Sequence, residues 1–71
     1  MQSFTIRIKK EFRSKEIKQE IISKLIEAGY SYKDTIGNMI LVYHENDILM
    51  ELSKNFAEKC IIEKEYFFKP L

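Results

Sequence analysis

The segment 15–28 constrains this chain more than any other. Its apolar residues Ile17, Ile21, Ile22, Leu25, Ile26 and Ala28 recur at the three- and four-residue spacing that a helix gathers onto one side. Ser14 stands immediately before the segment, where a hydroxyl can accept from the free amides of a first helical turn. Gly29 stands immediately after it, where a left-handed backbone carries no Cβ penalty. A helix from Lys15 to Ala28 is therefore predicted, and everything else must pack against its apolar stripe.

The flanking segments read as strands. Phe4, Ile6 and Ile8 alternate with Thr5, Arg7 and Lys9, the period of a half-buried strand. Tyr30 to Ile36 and Met39 to His44 are rich in strand formers, and Gly37-Asn38 between them suits a two-residue type II′ hairpin. Asn46 or Asp47 can cap a second helix starting at Ile48, in which Leu49, Leu52, Phe56 and Cys60 form an apolar stripe. The β-branched and aromatic stretch Ile61 to Lys69 favours a last strand, stopped by Pro70.

The resulting order, β-α-β-β-α-β, predicts a single small α+β domain over residues 1–71. It matches the ferredoxin-like, split-βαβ two-layer sandwich, with spatial strand order 4-1-3-2. The alternative is β-α-β-β-α, with a second helix that runs on past Cys60.

Size bears on partners. A chain of 71 residues with one cysteine has no intramolecular disulfide to staple it. Short domains bury a smaller share of their surface, so a second subunit that adds buried area is a natural expectation. Gln2 to Lys10 does not read as a secretory signal, and the longest apolar run, Met39 to Tyr43, is too short to span a bilayer. A cytoplasmic protein without membrane contact is expected, and an unpaired cysteine fits a reducing compartment.

The apolar run also has to be shared between two faces. Strand neighbours alternate, so Met39, Leu41 and Tyr43 form one set and Ile40 and Val42 the other. In a two-layer fold one set points away from the helices. Ile40 and Val42 are assigned here to that outer face, together with Phe67 from the Tyr66-Phe67-Phe68 run. Tyr30 and Tyr32 alternate on the second strand, at the expected sheet edge, where tyrosine suits an interface. Ile40, Val42, Phe67, Tyr30 and Tyr32 are thus the candidate partner-binding residues, for another protein or a second copy.

Charge offers a second possibility. Residues 1–36 hold eight Lys/Arg and five Asp/Glu, a balance of +3, and residues 37–71 hold four and six, a balance of −2. Lys10, Arg13, Lys15 and Lys18 are the candidate nucleic-acid contacts, since clustered cations can track a phosphate backbone. The topology resembles that of RNA-recognition domains, but the first strand exposes Thr5, Arg7 and Lys9 where base-stacking aromatics would be needed. Pairing of Arg7 and Lys9 with Glu63 and Glu65 on the neighbouring last strand is a structural account of the same cations.

Chemistry finds little support. His44 is the sole histidine, with Glu45 and Asp47 close by at a strand-to-helix junction where capping explains an acidic residue. Cys60 reads as a small hydrophobe. Gly-rich phosphate loops, G-x-S-x-G and C-x-x-C motifs are all missing from the sequence. No catalytic residue, cofactor, metal or small-molecule substrate is expected. A non-enzymatic protein-binding regulator is expected instead, of inhibitor or adaptor type, acting through the outer sheet face or its edge. An Ile-, Lys- and Glu-rich composition would suit a small phage or mobile-element protein that blocks a host factor.

Overall fold

A computed structural model describes residues 1–65. The order is β1 (Gln2–Ile8), α1 (Lys15–Ala28), β2 (Ser31–Asp34), β3 (Met39–His44), α2 (Leu49–Phe56) and β4 (Cys60–Glu65), with a single 3-10 turn at Lys10–Phe12 after β1. The four strands form one antiparallel sheet in the order β2-β3-β1-β4. The core joins one face of that sheet to both helices, an α+β arrangement compatible with a two-layer sandwich. Phe4, Ile6 and Ile8 of β1 meet Ile21, Ile22 and Leu25 of α1 and Leu52 and Phe56 of α2.

Local chemistry explains α1 at both ends. The Ile17 amide donates to Ser14 Oγ at 3.1 Å. Gly29 adopts φ 79°, its amide donates to the Ile26 carbonyl at 3.0 Å, and the Tyr30 amide donates to that of Leu25 at 3.1 Å. This pair of hydrogen bonds is the Schellman closure, which satisfies carbonyls that the helix leaves open. Ile26, however, is 59% exposed. It stands about 100° round the helix from Leu25, at the margin of the apolar stripe.

The second helix is shorter than its apolar spacing predicted. It ends at Phe56, and Cys60 opens β4 by pairing with Ile8. Cys60 is buried, at 2% exposure, but it enters the core from a strand. The β4 register against β1 also brings Ile62 opposite Ile6, so a helix running through Cys60 would sacrifice a whole strand pairing. The longer second helix is thereby overturned. The expected stretch 66–69 of the last strand, with Phe67 and the Tyr66–Phe68 run, and Pro70 lie outside the described residues.

The β2–β3 hairpin differs from expectation in one residue, with a large consequence. A two-residue Gly37-Asn38 turn would set Ile36 opposite Met39. Instead Asp34 pairs with Ile40 and Tyr32 with Val42, so the connection spans residues 35–38. A one-residue change of register moves every side chain of a strand to the other face. Three local bonds hold the longer turn. Thr35 Oγ1 donates to the Met39 carbonyl. Lys18 Nζ donates to the carbonyls of Thr35 at 2.7 Å and Gly37 at 2.8 Å.

Ile40 and Val42 do not lie on the outer face. They pair directly with Ile6 and Phe4, the core set of β1, and both are fully buried. Antiparallel partners share a face, so the core side of β1 dictates that of β3. Met39, Leu41 and Tyr43 are the set that points away from the helices, and each is half-buried. Among the described residues no helix is long and apolar enough to cross a membrane.

Candidate functional site

Lys18 occupies an unusual position on α1. It stands two turns before Leu25, on the line of the helix that faces the core. Its stem crosses apolar surface and its ammonium emerges at the hairpin, as long cationic side chains commonly do. There it pairs with Asp34 Oδ1 at 2.6 Å, besides the two turn carbonyls. An ammonium has three donors, and all three are engaged. Lys18 is thus a clamp between α1 and the hairpin, which removes it from the expected phosphate-contacting set. A lysine in mid-stripe was the sequence signal for this role.

The other three basic candidates lie on the β1–α1 connection and the start of α1. Lys10, Arg13 and Lys15 are exposed, and Arg13 Nε donates to the Ile8 carbonyl at 3.5 Å. Their neighbour Lys9 donates from Nζ to the Glu58 carbonyl at 3.3 Å. The expected charge pairing across β1 and β4 takes a different form. Arg7 lies opposite Ile61, Thr5 opposite Glu63 and Ser3 opposite Glu65. The Glu65 carboxylate accepts from Thr5 Oγ1 at 2.7 Å. On this outer face Ser3 and Thr5 are buried, Ile61 is exposed, and Glu63 and Glu65 make the β4 side acidic.

At the opposite end of the sheet, Tyr30 and His44 meet edge to face, with ring centroids 5.4 Å apart and planes at 90°. Tyr30 is half-buried and packs against the core at the end of α1, so it covers the helix terminus. His44 Nδ1 accepts from the Asn46 amide at 3.0 Å, which leaves the proton of the neutral ring on Nε2. Asp47 points elsewhere. Its Oδ1 accepts from the Leu49 amide at 3.0 Å and its Oδ2 pairs with Lys64 at 2.9 Å. The hydrogen bond from Lys64, then that from Leu49, hold the Asp47 carboxyl below the usual aspartate range. Among the described residues no three His, Cys, Asp or Glu side chains converge on a common point.

Cys60 closes a cleft of about 70 Å³ between α1 and α2, floored by Ile17, Ile21 and Phe56. Burial pushes its thiol up from the ordinary range, against the pull of Lys9 and Lys59. The rim is paired within itself, because Glu20 meets Lys24 at 3.5 Å and Lys59 at 3.9 Å. A neutral, enclosed thiol is a packing group, since the thiolate is the reactive form.

The remaining surface of note is the β2 edge. Among the described residues β2 is the terminal strand of the sheet and hydrogen-bonds only to β3. All four of its residues are exposed. Tyr32 lies on the helix side, opposite Val42, and is 37% exposed. Two further apolar side chains are exposed, Ile26 on α1 and Ile36, at 101%, in the turn that follows β2. Sequence reasoning placed Tyr32 here but missed Ile26 and Ile36. Ile26 passed for core, although its marginal place on the helical stripe was the available sign.

Comparison with protein-family models, with curated proteins and with solved structures finds no match to this chain. Function has therefore to be argued from these surfaces.

Proposed function

We propose that the protein is a non-enzymatic regulator, of inhibitor or adaptor type, that captures a protein partner on the β2 edge. The observation that carries this is an exposed terminal strand that bears Tyr32, with exposed Ile36 in the turn that follows it and exposed Ile26 on α1. An open edge offers main-chain donors and acceptors to an added strand, and neighbouring side chains supply selectivity. Charged residues ordinarily discourage such pairing. Here one of the two, Asp34, is neutralised by Lys18. The element order and strand order also support placing the chain in the ferredoxin-like class, in which β2 is an edge.

A nucleic-acid role draws less support. With Lys18 engaged in the hairpin, the basic set reduces to Lys10, Arg13 and Lys15, and among the described residues the outer face carries one aromatic, Tyr43 on β3, with acidic Glu63 and Glu65 on β4. Base-stacking sheets need more than that.

The test is affinity capture from the cells that encode the protein, with the wild type beside Ile26→Lys/Tyr32→Lys. Circular dichroism first establishes that the variant is folded. A partner recovered by the wild type and lost by the variant is expected. Equal recovery by both would remove the β2 edge from recognition.

A further inference from the structure

We propose that β2 pairs antiparallel with β2 of a second copy of this chain, with Tyr32 opposite its own counterpart, joining two sheets into one. The inference rests on the same edge as the proposed recognition site, and it names a specific occupant.

The register follows from symmetry and charge. A twofold axis normal to the sheet keeps both helix layers on the same side, so paired residues must share a face. Tyr32 and Asp34 belong to the helix side, and Ser31 and Lys33 to the outer side. A dyad at Lys33 would set ammonium against ammonium, and a dyad at Asp34 would oppose two carboxylates. Like charges directly opposite are unfavourable. A dyad at Ser31 would engage only Ser31 and Tyr32 of the strand. The dyad at Tyr32 opposes Tyr32 to itself, Ser31 to Lys33 and Tyr30 to Asp34. It brings no like charges together and places an aromatic pair at the centre.

The helix layer fits the same arrangement. The margin of α1 beside β2 carries exposed Gln19, Ser23 and Ile26, with exposed Lys15 one turn before Gln19 on the same line. Glu20, Lys24 and Glu27 are turned to the cleft on the α2 side. The twofold over Tyr32 runs the two margins antiparallel, so Lys15 at the start of one does not oppose Lys15 of the other. Self-pairing occupies the edge offered to a partner, so partner capture should weaken as protein concentration rises.

Disulfide trapping and mass measurement test this together. In the Tyr32-centred register Ser31 lies directly opposite Lys33 of the second copy, within the Cα separation that a disulfide spans. Ser31→Cys and Lys33→Cys proteins should each remain uncrosslinked under mild oxidation, and a mixture of the two should form a crosslinked dimer. Wild-type protein, with buried Cys60 as the only thiol, is the control. Light scattering should show wild-type mass approaching twice the monomer value on concentration. A mass that stays monomeric throughout overturns the proposal, as does crosslinking of Lys33→Cys with itself. A monomer whose Ile26→Lys/Tyr32→Lys variant still loses a partner overturns the dimer alone. A trapped dimer whose variant keeps the partner overturns the recognition edge alone.

Discussion

Replacing Val42 with aspartate tests the placement of β3 directly, because the neighbouring replacement Leu41→Asp supplies the opposite expectation. Val42 is fully buried opposite Phe4, whereas Leu41 is half-buried on the outer face opposite Thr5. Losing the buried valine removes about 1.5–3 kcal/mol of apolar stabilisation. The new carboxylate must then be buried or neutralised. Holding it protonated at pH 7 means raising its pKa about three units above the usual aspartate value, or about 4 kcal/mol. The combined cost, roughly 5.5–7 kcal/mol, compares with a total of roughly 4–11 kcal/mol expected for a chain of this length. Val42→Asp should therefore be largely unfolded at neutral pH. Leu41→Asp keeps its charge in water and should lose only about 1–2 kcal/mol. Urea denaturation followed by circular dichroism measures both. A cooperative Val42→Asp variant within about 2 kcal/mol of wild type, beside an unfolded Leu41→Asp, would refute the assigned faces of β3.

Two further outcomes follow from named contacts. Lys18→Met keeps the apolar stem but removes the three ammonium contacts, and should cost about 1–3 kcal/mol with faster amide exchange concentrated in β2 and the 35–38 turn; unchanged exchange there would show that the clamp is not needed. Asp47→Asn keeps an acceptor for the Leu49 amide but loses the charge that meets Lys64. Because the Asp47 pKa is lowered by folding, its contribution is present above the ordinary aspartate range and disappears as pH falls through the folded value. Urea midpoints of wild type and variant should thus differ most near neutrality and converge in acid, whereas a gap independent of pH would contradict the ion pair.

Some of this molecule was legible in the residues because the physics is local. Ser14 and Gly29 bound α1 through bonds to backbone groups three to five residues away. Alternation in β1 needed only the period of an extended chain. The burial of Cys60 followed from its apolar company, although its secondary structure did not. Of the proposed edge, Tyr32 was legible as an exposed aromatic on a terminal strand, while Tyr30 proved to be a cover for the end of α1.

The remainder depended on contacts between distant segments. α2 stops at Phe56 because Cys60 and Ile62 find partners on β1, and no residue after Phe56 announces that stop. The faces of β3 depended on its register with β1, and those of β2 on a one-residue shift of register in the hairpin. The 35–38 connection is held by Lys18, which lies on another element. By itself the sequence determined which segments are amphipathic and where α1 begins and ends. Only the tertiary structure decided which apolar set faces the core, because a strand's inner side is defined by its register with a neighbour. The same decision buried Ile40 and Val42 and left the β2 edge, with Tyr32, as the surface we propose for a partner.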